Sequence, residues 1–246
     1  LHEPVAALPH LEEVVRLDVN NVDVRQILER VLEIGSLRPR AAELLETIYE
    51  TRDEPRDLVR VLEIRLEAAA DDDTRRALLQ RIADLRDTRL SDDAGSLSAL
   101  ARLVPLDPAD SGARTRLRDI GRRLGESQRV VEVLLAAASA GGSKEIQGEI
   151  LMEVAALQED VLDDRARAEE TYARVVAIDP EDRALVIPAS RALERIHAST
   201  GNNRALAADL KTQVLLEEDP EVRRDLWARL GELNDAVLED PASSIA

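Results

Sequence analysis

The feature that most constrains this chain is a repeat. A bulky apolar residue, two intervening residues, a second apolar residue and usually a small one recur along it. The copies are Leu11/Val14/Val15, Leu45/Ile48/Tyr49, Leu79/Ile82/Ala83, Leu117/Ile120/Gly121, Leu151/Val154/Ala155, Leu193/Ile196/His197 and Trp227/Leu230/Gly231. Successive first members lie 34, 34, 38, 34, 42 and 34 residues apart, a unit of 34 with insertions of four and eight. A longer period of 72 overlies it: Ile82-Ala83-Asp84-Leu85 falls on Val154-Ala155-Ala156-Leu157, and Leu106-Asp107-Pro108 on Ile178-Asp179-Pro180. Periods of this length mark stacked supersecondary units that bury their apolar faces only against their neighbours.

Between turn clusters the residues are Leu, Ala, Glu, Arg and Val at helical spacing, with no alternating β-branched run that would mark a strand. The expected fold is all-α, with about thirteen helices. Acidic pairs at Asp92-Asp93, Asp163-Asp164 and Glu239-Asp240 recur at one place in the repeat, where a carboxylate can cap a helix N-terminus. Asp71-Asp72-Asp73 and Asp219-Pro220 open other helices, and Gly141-Gly142-Ser143 and Gly201-Asn202-Asn203 read as turns. No break is long enough for a linker, so residues 1–246 read as a single elongated repeat domain, a fragment of a longer array.

Composition narrows the function classes. Fifty acidic against 33 basic residues give a net charge of −17, which repels phosphate backbones and anionic lipid. Tyr49, Tyr172 and Trp227 are the whole aromatic complement, too few for a base-stacking platform. Nucleic acid is therefore not an expected partner. Membrane insertion is not expected either, because no apolar run approaches the roughly 18 residues of a bilayer span. Absence of cysteine removes disulfides, thiolate nucleophiles and Cys-type zinc sites. The first 30 residues lack a secretory pattern, which favours the cytoplasm, though a chain starting at Leu1 leaves the compartment open. Lys occurs only at 144 and 211, and such reliance on Arg reads as the mark of a GC-rich bacterial genome.

No catalytic, cofactor or metal site emerges. His2, His10 and His197 are far apart and have no accompanying nucleophile. Glu194 and His197 share a helix face, but a helical di-iron site needs a second such pair and further carboxylates. Gly142-Ser143-Lys144 lacks the first Gly and the preceding strand of a phosphate loop. The Asp71–Asp73 run lacks the alternation and the Gly of a calcium loop.

The signature resembles that of the tetratricopeptide repeat family, whose first helix reads Trp, two residues, Leu-Gly, two residues, Tyr. Trp227-Ala228-Arg229-Leu230-Gly231 is the clearest match, and Ala168, Tyr172 and Pro180 match the second helix. Asp209 and Ala137 depart from that second-helix pattern, and Tyr49 and His197 replace the small residue, so packing there must open or shift. The period alone also admits a HEAT-like or irregular helical-hairpin solenoid. The resemblance implies a right-handed α-α superhelix of six to seven hairpins, with first helices lining a concave face.

It further implies which exposed positions face that groove: two before, and one, five, eight and nine after, each signature residue. Sixteen of 35 such positions are acidic and four are Arg, where the chain average predicts about seven and about five. Glu43, Glu46, Glu50, Asp53 and Glu54 form an unbroken stripe. Asp84, Asp87, Glu159, Asp160, Glu232 and Asp235 extend it, while Arg118 and Arg122 interrupt it. Asp53, Asp87, Glu159 and Asp235 lie late in their helices, where the dipole disfavours an anion by a few tenths of a kcal/mol. The Lys-and-Asn carboxylate clamp of some family members has no counterpart here.

The expected function is non-catalytic: a scaffold whose concave face holds a protein or peptide segment, with Arg- or Lys-rich ligands favoured. Two alternatives stand beside it: a structural protein that stacks end to end into oligomers, and the regulatory region of a larger enzyme.

Overall fold

The computed structural model describes residues 4–238 of the chain, which divide into two compact units, residues 4–125 and 126–238. Among the described residues there are thirteen α-helices and no strand. The first unit holds α1 (Pro4–Leu17), α2 (Val22–Val31), α3 (Arg38–Thr51), α4 (Pro55–Ala68), α5 (Asp72–Thr88), α6 (Asp93–Leu103) and α7 (Ser111–Leu124). The second holds α8 (Ser127–Ser139), α9 (Lys144–Asp160), α10 (Arg165–Ile178), α11 (Arg183–Thr200), α12 (Asn203–Leu216) and α13 (Pro220–Leu238). None is long and apolar enough to cross a membrane.

Within each unit every helix packs on its sequence neighbours, and α1 also touches α3, as α9 touches α11. This is the all-α, sequentially stacked arrangement that the period requires. The odd-numbered helices carry the signature and are the first helices of their hairpins. Leu45, Leu79, Leu117 and Leu151 are at most 1% exposed, and Ile48, Ile82, Ile120 and Val154 at most 2%. The signature is the core.

One turn joins the two helices of a hairpin again and again. Asp53, Ser91, Gly125, Asp163 and Gly201 each take a positive φ, between 49° and 72°. Gly does so freely, and Asp more readily than most side chains. The residue after the turn sends its N–H back into the last turn of the first helix: Glu54 to Tyr49, Asp92 to Arg86, Asp164 to Gln158 and Asn202 to His197, at 2.8–3.0 Å. Three of these residues then cap the second helix, Asp92 accepting from Gly95 N–H at 2.9 Å, Asp164 from Arg167 at 3.1 Å and Asn202 from Ala205 at 3.2 Å. The recurring acidic pairs thus divide their work: the residue next to the N-cap either makes the turn, as Asp163 does, or bonds elsewhere, as Asp93 does with Arg123 at 2.8 Å. Glu239-Asp240 lies outside the described residues. Asp71 and Ser143 cap α5 and α9.

Asp164→Ala keeps the turn and removes the cap. It lowers the free energy of unfolding by about 1 kcal/mol in urea titration, whereas Asp163→Ala keeps the cap and lowers it through the turn, because Ala adopts the positive φ of 51° less readily than Asp.

Candidate functional site: a charged face along the first helices

The sequence singles out carboxylates on the first helices, and the structure sets an arginine against most of them. Glu46 is 8% exposed and accepts from Arg65 of α4 and Arg81 of α5. Arg81 reaches Glu50 as well, at 2.7 Å. Asp53 receives Arg89 at 2.6 Å, Asp84 receives Arg116 at 2.6 Å, and Asp87 lies 3.4 Å from the same guanidinium. Arg40 of α3 joins Glu43 at 2.5 Å and Glu12 of α1 at 2.6 Å. In the second unit Arg195 of α11 lies 3.1 Å from Glu159 of α9, and Arg229 of α13 pairs with Glu194 of α11.

A rule runs through most of these pairs: the acid sits on or just after one first helix and its partner on or just after the next, Glu46–Arg65 and Glu43–Arg40 being the exceptions. Glu46 and Glu194 directly follow their signature residues, and Arg81 and Arg229 stand two after the next signature, so both pairs span 35 residues, one period plus one. Glu159–Arg195 and Asp53–Arg89 span 36. The ion pairs form a ladder that repeats with the fold.

The stripe from Glu43 to Glu54 is therefore charge-compensated. Asp53 is not in a helix at all: it follows the end of α3 at φ 56°, and Glu54 is the N-cap of α4, 2.7 Å from Arg52. Asp87 and Glu159 do occupy the last turns of α5 and α9, where the next first helix supplies the cation that the dipole lacks. Asp160, Glu232 and Asp235 are exposed and make no ion pair with other described residues. Glu50, Asp53 and Asp84 keep 61%, 70% and 50% of their side chains open to solvent despite their partners.

Counting at fixed offsets finds the acids and misses the arginines, because Arg81, Arg195 and Arg229 stand at the second position after the signature, outside the offsets counted. A long guanidinium side chain reaches back from that flank to the preceding helix. The readable signal was the 35-residue spacing between Glu and Arg.

The two oversized residues at the small signature position are accommodated by polar tips. Tyr49 donates to Glu29 of α2, and Arg60 of α4 lies 5.9 Å from its ring centre. His197, 7% exposed, sits between Asp209 of α12, 2.5 Å from Nδ1, and Glu169 of α10, 3.1 Å from Nε2. In both cases the residue bridges the second helices on either side. Asp209, a departure from the family pattern on its own, is the partner that His197 requires. Burial raises both tyrosine hydroxyls, helped by Glu29 and by Glu159, with Tyr172 pushed up to about 12, so each remains a donor at neutral pH.

Glu194 and His197 do not converge on a common point. Glu194 serves Arg229 and, at 2.8 Å, Gln213, while His197 serves Asp209 and Glu169. Among the described residues no group of three or more His, Asp or Glu is placed to hold a metal ion. Gly142-Ser143-Lys144 is a connector: Ser143 caps α9, accepting from Ile146 N–H at 3.2 Å.

No family model matches the sequence, and no curated protein matches it significantly. Among solved structures the chain is similar to MamA, at 16% identity over 70% of this chain and 94% of that one, with a TM-score of 0.41. It is also similar to the P58(IPK) TPR domain (13% identity, 94% of this chain, 66% of that chain, TM-score 0.36). A third is the APC/C hetero-tetramer Cut9-Hcn1 (10% identity, 93% and 52%, TM-score 0.38). Within each unit the helices, paired at a repeat of 34 residues with insertions and packed in sequence, themselves fit a tetratricopeptide-like helical repeat.

Burial disfavours the His197 imidazolium, but the bonds to Asp209 and Glu169 together outweigh it and raise its pKa above the ordinary 6.5. A raised folded pKa contributes stability that is complete below about 6.5 and is lost as pH climbs through the folded value. The stability difference between the parent and His197→Gln is therefore largest near pH 6 and shrinks toward pH 9 in urea unfolding; a pH-independent difference contradicts the assignment.

Proposed function

We propose that this chain is a non-catalytic protein-interaction scaffold that holds a partner segment along its first helices, on the face that carries the ion-pair ladder. The observation that supports the reading most is the combination of fixed side chains and open oxygens. Glu50, Asp53 and Asp84 are positioned by Arg81, Arg89 and Arg116, yet stay half or more exposed. A carboxylate has about four acceptor sites and one guanidinium fills at most two. An incoming Arg or Lys can share these oxygens without unfolding the ladder.

The cleft beside Glu50, Asp53, Arg81 and Arg89 encloses about 140 Å³, below the roughly 300–1,000 Å³ of small-molecule sites. It suits a single side chain of a docked peptide. The net charge of −17 draws basic partners over long range, and the local ion pairs select among them. The Arg- or Lys-rich segment favoured by the sequence remains the proposed ligand class, on Glu43, Glu50, Asp53, Asp84, Asp87, Glu159, Asp160, Glu232 and Asp235. Glu46 belongs to the framework of the site, held between two arginines, and is not a free contact.

The scaffold reading also accounts for where the polar groups go. His197, the only histidine in the described core, is committed to Asp209 and Glu169, and the tyrosines to glutamates. These side chains support packing.

The test is titration of a fluorescent peptide of alternating Arg and Ser, with a Glu-for-Arg peptide as control. The basic peptide binds, the acidic one does not, and binding falls with salt. Glu50→Arg/Asp53→Arg, in which both residues are exposed, weakens it about tenfold, from roughly 0.2–1 kcal/mol per exposed pair lost and a similar repulsion gained. Equal affinity for both peptides, or an unaffected double variant, contradicts the reading.

A further inference from the structure

The ion pairs turn carboxylates outward at one place and guanidinium groups at another. In the first unit Glu50, Asp53 and Asp84 are the more exposed members of their pairs with Arg81, Arg89 and Arg116. In the second unit the order is reversed: Arg191, Arg195 and Arg229 keep 52–62% of their side chains open, and their partners Glu217, Glu159 and Glu194 only 14–16%. The cause is what else those carboxylates hold. Glu159 also accepts from the Tyr172 hydroxyl at 3.0 Å, Glu194 from Gln213 at 2.8 Å, and Glu217 from the backbone N–H groups of Glu218 and Asp219 at 3.0 and 3.1 Å. The arginines have no such second commitment among the described residues. Arg195 and Arg229 each donate through one terminal nitrogen, and Arg191 comes no nearer to Glu217 than 3.8 Å. A guanidinium carries five N–H donors in a planar fork, so most of theirs remain unspent.

These three arginines border one cavity of about 340 Å³, whose walls are α11 and α13 and which also touches Gln213 of α12. Arg191 and Arg195 stand four residues apart on α11 and so share a face, and Arg229 reaches from α13 toward α11 to pair with Glu194. Val222 and Leu226 of α13 add an apolar wall, Val222 being exposed. The volume lies at the low end of the roughly 300–1,000 Å³ typical of ligand sites, enough for one long side chain with a branched tip. Three forks with donors to spare suit an anion that has more than two oxygens. A carboxylate has two; a phosphoryl group has three, with a charge of about −1.5 to −2 at pH 7.

We propose that this cavity binds a phosphorylated side chain, phosphoserine or phosphothreonine, of a partner segment, with the phosphoryl oxygens on Arg191, Arg195 and Arg229 and a neighbouring apolar residue of the segment on Val222. Glu194, the one acid in the lining, stays turned to Arg229 and Gln213. The net charge of −17 opposes an anionic ligand at range, so contacts at short range carry the binding, and a singly charged acidic segment is not held. None of the carboxylates assigned above to a basic segment lines this cavity. The proposal therefore goes beyond the scaffold reading of the acidic face and stands or falls separately from it.

The test is fluorescence anisotropy of the full chain with a labelled Gly-Ser peptide that carries Leu beside one phosphoserine. A Kd of about 10–100 µM is expected, at least about tenfold tighter than for the unphosphorylated peptide or for the same peptide with Glu at the phosphoserine position. Arg191→Ala/Arg195→Ala weakens binding at least about tenfold, while leaving Glu159 bonded to Tyr172 and Glu217 to its backbone donors. Arg191→Lys/Arg195→Lys keeps the charges and loses the forks, and weakens binding about threefold. Circular dichroism confirms that each variant is folded. Inorganic phosphate makes no contact with Val222 and displaces the peptide only at concentrations at least about tenfold above the phosphopeptide's Kd. Equal affinity for the phosphorylated peptide and either control, or an alanine variant that binds as the parent does, overturns the proposal. Displacement by inorganic phosphate at the phosphopeptide's own Kd assigns the cavity to the free ion and overturns the docking of a segment.

Discussion

The structure depends on a carboxylate that cannot be left alone. Glu46 is nearly excluded from solvent in the first unit, and an ionised carboxylate in that position costs several kcal/mol unless cations compensate it. Arg65 comes from the second helix of the same hairpin and Arg81 from the first helix of the next. One side chain thereby ties three consecutive helices together. Apolar contacts between Leu, Ile, Val and Ala supply the driving force for stacking, but they are non-directional. A hairpin slid by one turn along its neighbour would still bury oil against oil; it would not satisfy Glu46. Ion pairs such as this do not add much stability over a well-packed apolar substitute, and we attribute to them the registration of one repeat on the next.

The same logic explains why an acidic chain tolerates so many carboxylates on one side of its repeats. Glu159 and Asp87 occupy the helix ends that repel anions, and arginines of the following first helix offset this. Neutralisation is local, however, and the net charge of −17 persists at range. Long-range attraction for cations combined with a locally satisfied face favours selection over tight binding: a ligand must present its charges where Glu50, Asp53 and Asp84 have oxygens to spare.

Much of this was readable from the residues. The seven signatures locate the seven first helices, and the capping role of Asp92 and Asp164 follows from their recurring place in the repeat, whereas Asn202, read as part of a turn, also caps α12. What periodicity does not show is which residue of the next repeat reaches across. The offset from Glu46 to Arg81 reflects how far one helix rotates and slides against another, a property of packing that no single repeat contains. His197 and Asp209 illustrate the limit well. Each alone violates the repeat pattern, and only the fold shows that the two departures are one buried hydrogen bond, 2.5 Å long.

The central claim is that ion pairs between successive first helices contribute beyond ordinary surface charge. A double-mutant cycle on Glu46 and Arg81, with the exposed Glu13–Arg16 pair as reference, measures this directly. The account predicts a coupling free energy of at least about 1 kcal/mol for Glu46–Arg81, against no more than about 0.5 kcal/mol for Glu13–Arg16. Equal couplings of a few tenths of a kcal/mol for both pairs would contradict it, and would reduce the ladder to solvated surface.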